Sequence, residues 1–387
     1  MLQPSRKPSE ICAACSSSSW HTCISISTAI GTPQVYRVSK RPAIVELLGM
    51  SGKGGLSRAA RGDVMPNEIQ SVSVIIAAWN AEATIGRAIA SALIQQEVCE
   101  VLVIDDRSTD ATVATARAAD DGTDRVRVVS LDRNSGPAAA RNAGLSLSRA
   151  PFVAVLDADD FLLPDRFAAL FAIPDWDAIA DNIAFITSDE LPDFKTSDIR
   201  EFETEPQVLT FASFVERNIS RRGAARRELG FAKPVMRRAF LEKAALRYDE
   251  ALRLGEDYAL YTSMMLRGAR FLTTRRCGYV AVERSTSLSA QHRTHDLAAL
   301  FAYDKRLEVE AEGLPAPAKA SVKRHSTQLA GMVRHRTFLD IKRERGALAA
   351  LAYAAAEPLM LPRLVGAIAA DKLLATPVRA KGVAYLL

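Results

Sequence analysis

Four short apolar runs alternate with alanine-rich segments between Ser71 and Asp160, and few folds accommodate this alternation. The runs are SVSVIIAAW (71–79), VCEVLVIDD (98–106), RVRVVSL (125–131) and FVAVLDADD (152–160). The first run has no polar alternation after Ser73, which is typical of a strand covered on both faces. The segments between the runs predict helices. The order β-α-β-α-β-α-β predicts an α/β fold with a mostly parallel sheet, whose ligand site lies at the carboxyl ends of its strands.

The regions on either side of these runs differ in composition. Residues 1–68 contain no sustained apolar period, so we expect a disordered leader, or a mis-assigned start with translation beginning at Met65. Residues 69–285 are expected to form the α/β domain. Residues 286–387 are rich in Ala and Leu and predict a helical C-terminal extension, which from residue 321 onward carries 11 Lys and Arg against 4 Asp and Glu.

Charge and cysteine content exclude several classes of protein. Fifty Lys and Arg against 45 Asp and Glu give a net charge of +5, a surplus too small over this length to indicate a nucleic-acid partner. No apolar run reaches the roughly 18 residues that a membrane span needs. The five cysteines are few, and Cys99 and Cys277 stand isolated in apolar surroundings, as expected of reduced intracellular thiols, so we expect a cytoplasmic protein. Its basic C-terminal helices either contact the inner face of the cell membrane peripherally or form a solvated subdomain.

Acidic side chains close two of the four predicted strands. Asp105 and Asp106 end the second strand, and Asp157, Asp159 and Asp160 end the fourth. Carboxylates gathered at one rim repel each other unless a cation joins them, and a divalent metal bridging a diphosphate would supply that charge. The alternative is that each acid caps or begins a helix, where the macrodipole favours a negative side chain.

The loop before the third predicted helix supplies a positive charge. In NSGPAAARNAG (134–144), Gly136 permits a tight turn and Pro137 suits the first turn of a helix, with Arg141 one turn further on. Arg141 therefore faces either solvent or the acidic rim. Further along the chain, Glu256 and Asp257 begin another predicted helix.

Together these segments resemble glycosyltransferase family 2, whose members have the GT-A fold. SVIIAAWN, VLVIDDRSTDAT, NSGPAAARNAG, VLDADD and GEDYAL stand in the order and spacing of that family, over residues 71–289. The resemblance implies a Rossmann-like GT-A catalytic domain over residues 69–285. It also implies an inverting transfer of a sugar from a nucleotide-diphosphate donor to a hydroxyl group, with Mg²⁺ or Mn²⁺ as cofactor.

The resemblance implies a role for individual residues. Asp257 matches the catalytic base. Glu256, the residue before it, is expected to stabilise the helix N-terminus and to take no part in the chemistry. Arg284, with Ser287, resembles a segment near the donor phosphates or the acceptor. The residues implied in nucleotide binding are Ala77, Asn80, Asp105, Asp106, Arg141, Asp157 and Arg284, and those implied in metal binding are Asp159 and Asp160.

The substrates follow from the resemblance alone. A UDP-sugar is the expected donor, with UDP-glucose as the first guess, because the segments most resemble exopolysaccharide members of the family. The expected acceptor is a saccharide or a lipid-linked saccharide.

Two readings from other classes compete with this one. VLVIDD also resembles the first strand of a response-regulator receiver, with Asp157 as phosphoacceptor, Thr187 or Ser188 as hydroxyl and Lys233 as lysine. Against it, another strand precedes the Asp pair, and 233 − 187 = 46 residues is too long for one αβ step. The second alternative is an acid-lined module that binds a nucleotide without catalysis.

Overall fold

A computed structural model describes residues 70–220, 228–283, 293–356 and 382–387. Its first half contains β1 (Val72–Ala78), α1 (Ile85–Leu93), β2 (Val98–Asp105), α2 (Thr112–Ala118), β3 (Val126–Ser130), α3 (Pro137–Leu147), β4 (Phe152–Val155), β5 (Phe161–Leu162) and α4 (Arg166–Phe171). These follow as β6 (Ala178–Thr187), β7 (Gln207–Val208), α5 (Phe211–Glu216), β8 (Val235–Arg237), α6 (Arg238–Lys243), α7 (Glu256–Leu266), β9 (Phe271–Glu283), α8 (Thr294–Glu310), α9 (Ala316–Arg345), α10 (Ala347–Ala355) and β10 (Ala384–Tyr385).

The described strands form one mixed sheet. Its order is β3-β2-β1-β4-β8-β6-β9-β5, with β10 beside β6 and β7 beside β9. The four strands predicted from the apolar runs pair in parallel, as βαβ crossovers require. Strands β1, β2 and β4 are almost entirely buried, whereas β3 at the edge of the sheet is only partly buried. Helix α3 packs closely on β1, since an added Cβ at Gly144 of α3 would lie 2.4 Å from Ile75. The predicted α/β class is confirmed, but beyond β4 the sheet changes direction, since β8 is antiparallel to both β4 and β6.

One segment of the second half differs from the helix that its sequence predicts. The sequence MRRAFLEKAALRYDEAL (236–252) predicts one helix, yet Val235–Arg237 is a strand and the helix is limited to Arg238–Lys243. That helix ends where Ala245 adopts a left-handed conformation, with φ of 51°. The start of the segment pairs as a strand of the sheet, because tertiary strand pairing overrides local helix propensity.

The C-terminal helices contact the helix that begins with Glu256 and Asp257. An added Cβ at Gly255, whose φ is +76°, would lie 2.7 Å from Leu300 of α8. The hydroxyl of Tyr258 donates to Asp304 Oδ1 at 3.2 Å, and Asp304 Oδ2 lies 2.6 Å from Nδ1 of His325 on α9. All three side chains are buried. The first turns of α7 are thus held by the C-terminal helices.

Among the residues that the structure describes, no helix combines the length and the apolar character that crossing a bilayer would require.

Candidate active site

Parallel pairing places the first acidic pair at the carboxyl edge of the sheet. Ala78 of β1 is in register with Asp105 of β2, and the Asp106 amide donates to the Ala78 carbonyl at 2.8 Å. Asp106 accepts 2.7 Å hydrogen bonds from the backbone amides of Ser135 and Gly136. This buried carboxylate therefore fixes the turn that begins α3, where Gly136 has a φ of +89°.

The chain leaves β1 through the predicted nucleotide-binding residues Ala77 and Asn80. Ala77 is half-buried at the end of the strand, and Asn80 is exposed with a left-handed φ of 49°. The Asn80 amide donates to Ser108 Oγ at 2.9 Å, and its side-chain oxygen accepts from the Thr109 amide at 2.9 Å. Asp105 accepts from the Ser108 amide at 3.1 Å. The loops after β1 and β2 are thereby joined into one edge.

Arg141 and Lys233 connect three carboxyl groups that come from different parts of the chain. Arg141 donates to Asp157 at 3.0 Å and to Glu256 at 2.7 Å, and lies 3.4 Å from Asp257. The Lys233 ammonium lies 3.1 Å from Asp157 and 3.1 Å from Asp257. Both cations are buried, with 5% and 6% of their surface exposed. We call these five residues the charge cluster.

Burial and charge together shift the pKa values of Asp157, Glu256 and Lys233. Burial acts to raise the pKa of Asp157, but the opposite charges of Lys233 and Arg141 outweigh it and hold that pKa below its ordinary value. Burial, with the charge of Asp257, raises the pKa of Glu256 despite its contact with Arg141. The pKa of Lys233 is raised, because Asp157 and Asp257 outweigh its burial. Asp157 therefore stays ionised at neutral pH, while Glu256 takes up a proton more readily than an ordinary glutamate.

The ring of Tyr248 packs against the guanidinium group of Arg141. The guanidinium carbon lies 5.4 Å from the centre of the Tyr248 ring, a cation–π distance. Asn142 of α3 holds this residue at both backbone groups, since it accepts from the Tyr248 amide and donates to the Tyr248 carbonyl, each at 2.9 Å. Within the described residues, the buried Tyr248 hydroxyl has no hydrogen-bond partner.

The two predicted metal ligands occupy different environments. Asp159 is half-buried, while Asp160 is buried and accepts hydrogen bonds from the Tyr279 hydroxyl at 2.7 Å and the Val282 amide at 2.9 Å. Burial, with the charges of Asp157 and Asp159, raises the pKa of Asp160 well above its ordinary value. This geometry does not support Asp160 as a metal ligand, because both of its oxygens tie the acidic turn to β9. Asp159 remains a predicted ligand.

The described residues contain no group of three or more His, Cys, Asp and Glu side chains positioned to hold a metal ion. A site with one or two carboxylates is still chemically suited to Mg²⁺ or Mn²⁺ when substrate phosphates and water complete the coordination. Arg284 and Ser287, the other predicted contacts, lie outside the described residues.

Lys233 entered the sequence reasoning only as a possible receiver lysine, and its place in this site was missed. It precedes β8, whose Val235 pairs with Ala154 of β4 in antiparallel register, so the pairing carries Lys233 past the end of β4 to Asp157. The Lys233 carbonyl also accepts a 2.5 Å hydrogen bond from the buried Arg166. No local signal in the sequence indicates this pairing.

Comparison with known proteins identifies the family. The sequence model of Glycosyl transferase family 2 matches residues 73–240. The chain is 48% identical over 301 residues to Succinoglycan biosynthesis protein ExoU of Rhizobium meliloti (strain 1021). This match covers 78% of this chain and 87% of ExoU. The chain is also 36% identical over 315 residues to Succinoglycan biosynthesis protein ExoO of the same organism, over 79% of this chain and 86% of that one.

Solved structures agree on the fold. The structure of S. aureus TarS 1–349 in complex with UDP-GlcNAc has a TM-score of 0.52 at 20% identity, and the match covers 78% of this chain and 81% of that one. A further crystal structure of S. aureus TarS 1–349 gives the same TM-score at 18% identity, over 77% of this chain and 81% of that one. The predicted GT-A fold is thereby confirmed. The chain is a glycosyltransferase with this fold and belongs to glycosyl transferase family 2.

Proposed function

We propose that this protein transfers a sugar from a nucleotide-diphosphate donor to a hydroxyl of a saccharide or lipid-linked saccharide, with inversion, in exopolysaccharide synthesis. The observation that carries this proposal is the charge cluster, which joins the acidic end of β4 to the first turn of α7. The names of ExoU and ExoO, both succinoglycan biosynthesis proteins, support exopolysaccharide synthesis. The UDP-GlcNAc complex of TarS supports a nucleotide-sugar donor. UDP-glucose is the first donor to test.

Asp257 is the proposed general base. Its side chain lies in the first turn of α7, 3.1 Å from the ammonium of Lys233. An acceptor hydroxyl has too high a pKa to attack unaided, so the base takes its proton while the oxygen bonds to the anomeric carbon. The bond from that carbon to the diphosphate oxygen breaks on the opposite face, and the configuration inverts. Glu256 is less suited to the task, because its contact with Arg141 is the closer one, at 2.7 Å against 3.4 Å for Asp257.

The other members of the site are proposed to bind the donor. Arg141 and Lys233 place two positive charges beside Asp157, where they can stabilise negative charge on a departing diphosphate. Ala77 and Asn80, with Asp105 behind them, are proposed to line the base and ribose pocket. Asp106 is proposed to support this pocket indirectly, because it accepts hydrogen bonds from the backbone amides of Ser135 and Gly136 and so fixes their turn. Asp159 would hold Mg²⁺ or Mn²⁺, and that ion would neutralise diphosphate charge when bound.

The test is a panel of nucleotide sugars incubated with purified protein, Mn²⁺ and a saccharide acceptor, with release of the nucleoside diphosphate measured. Asp257→Asn keeps the shape of the side chain but cannot accept a proton, so we expect a loss of roughly 10² to 10⁴ in rate with nucleotide affinity unchanged. Glu256→Gln is the matched control and should cost far less. Equal losses in both variants would contradict the assignment, and lost nucleotide affinity in Asp257→Asn would place this carboxylate in the donor site.

The same panel addresses the alternatives from other classes. Binding without turnover of any donor would favour a non-catalytic nucleotide-binding module. The receiver-like switch is wrong, because the chain belongs to an enzyme family. The lysine contact that it required is nevertheless present, as the 3.1 Å pair between Lys233 and Asp157. We further propose a cytoplasmic location with peripheral contact at the inner membrane face.

A further inference from the structure

Helix α10 exposes an apolar face. Its sequence, ALAALAYAA, contains no charged residue. Ala350 and Ala354 are buried against Phe338 of α9 in a small cluster separate from the main core. On the other side, Leu348 and Leu351 are 84% and 60% exposed. Ala347, Ala352 and Ala355 are also exposed and complete that face.

Such a face is unusual for a solvated helix. An amphipathic surface helix normally turns charged or polar side chains outward and apolar ones toward the core. In α10 both faces are apolar, and its two most exposed large side chains are neighbours at i and i+3. Single exposed leucines need no explanation, but a contiguous apolar face marks a contact with something other than water.

The helix that carries this face is strongly basic. Helix α9 has eight Lys and Arg against two acidic residues, Asp340 and Glu344. Three of the basic residues, Lys342, Arg343 and Arg345, stand in its last turn, directly before α10. All three are exposed. Arg343 pairs with Asp340 at 3.2 Å, which still leaves an excess of positive charge at this end.

An apolar face next to a surplus of positive charge fits one kind of partner better than others. Apolar side chains bind the acyl boundary of a bilayer, while Lys and Arg are attracted to anionic headgroups. A second copy of this chain would carry the same positive charge, so pairing two such ends would be repulsive. A protein partner would need an acidic rim around an apolar patch.

We propose that the α9–α10 end is a docking surface for an anionic lipid bilayer, with Leu348 and Leu351 entering the interface and the last turn of α9 contacting the headgroups. This surface is separate in sequence and in packing from the charge cluster. The proposal extends the proposed function by naming the residues that would bring the enzyme to a membrane-borne acceptor. Lipid binding itself does not depend on that function.

The experiment is flotation of the full chain with vesicles, using phosphatidylcholine alone and phosphatidylcholine with 30% phosphatidylglycerol as probes. We expect the parent to bind to the anionic vesicles. The fraction bound should fall at least tenfold in the double variant Leu348→Ser/Leu351→Ser. Val309→Ser on α8 is the matched control, since Val309 is 73% exposed but lies away from the patch, and it should bind like the parent. Lys342→Gln/Arg345→Gln should weaken binding as well, and 0.5 M salt should weaken the parent.

Several outcomes would overturn the proposal. They are no binding of the parent to anionic vesicles, equal binding by the leucine variant, and equal loss in the Val309 control. A parent dimer in light scattering that the leucine variant converts to a monomer, with lipid binding unchanged, would assign the face to a second copy. Circular dichroism and donor turnover with a soluble acceptor should be unchanged in all variants, so failure of the lipid assay is distinguishable from failure of the proposed reaction.

Discussion

Replacing Lys233 by Met tests whether the charge cluster is held together by its cations. The change keeps an unbranched side chain of similar length but leaves Asp157 and Asp257 with Arg141 as their only cation in the charge cluster. Removing one partner from a buried ion pair costs about 3–5 kcal/mol, because an uncompensated charge stays behind. Asp157 is about one-third exposed, at 32% of its side chain, and water offsets part of that loss. We therefore expect the lower end, about 3 kcal/mol.

The loss should depend on pH, with a sign that the structure fixes. The pKa of Asp157 is lowered in the folded protein, so its pairing stabilises the fold above the unfolded pKa of about 3.9 and is lost as pH falls through the folded value. Without the positive charge of Lys233, Asp157 takes up a proton more readily. Its protonation removes the repulsion between Asp157 and the other carboxyl groups of the charge cluster. The difference in stability between parent and variant should thus be largest near pH 7.5 and narrow toward pH 5.

Urea unfolding at pH 7.5 and pH 5.0, followed by circular dichroism, measures both effects. Lys319→Met is the matched control, because Lys319 is 44% exposed and lies 3.6 Å from the exposed Glu312. Breaking such a surface pair should cost less than about 1 kcal/mol. The reasoning is refuted if Lys233→Met costs no more than Lys319→Met, or if the difference between parent and variant is the same at both pH values.

Three further changes test other parts of the structure. Asp159→Ala should abolish the Mn²⁺-dependent part of UDP binding in calorimetry, while binding without metal persists; full metal-dependent binding would remove Asp159 from the proposed site. Gly278→Ala places a Cβ 2.2 Å from Asp181 Oδ2, so the unfolding midpoint of this variant in urea should fall by the equivalent of about 3 kcal/mol. Gly331→Ala is the control, because the space around Gly331 is open, and it should stabilise the protein by up to about 1 kcal/mol. Tyr258→Phe leaves the buried Asp304 without one donor and should cost about 1–3 kcal/mol in the same assay; an unchanged midpoint would contradict the contact.

Much of this fold could be predicted from the sequence, because its first half is specified locally. Each of the first four strands is an apolar run bounded by turn residues, and parallel pairing then follows from the helices between them. The start of α7 could be predicted for a similar reason, since an acidic pair after Gly255 is typical of a helix N-terminus. The role of Asp257 as the base rests on the family resemblance and stays a prediction.

What the sequence could not indicate depends on pairings between distant segments. Lys233 reaches Asp157 only through the antiparallel register of β8 with β4, about 80 residues apart in the chain. Both carboxylate oxygens of Asp160 accept hydrogen bonds from Tyr279 and Val282 of β9, a strand that begins more than 100 residues later. Neither contact leaves a periodicity or a spacing that can be read along the chain. The direction of a side chain at a strand end is set by whichever strand completes its surroundings.

The contacts of α7 with the C-terminal helices have a consequence for exchanging parts between enzymes of this family. A chimera joined at residue 285 would combine α7 from one parent with α8 and α9 from another. It would then depend on the foreign helices for a leucine that fits against Gly255 and for an Asp304–His325 pair that meets Tyr258. Moving the junction to a point before Gly255 would transfer the proposed base and its supporting helices as one module. A C-terminal unit for exchange therefore begins in the loop before α7, and its Glu256 and Asp257 would have to meet an arginine and a lysine at positions 141 and 233 of the other parent.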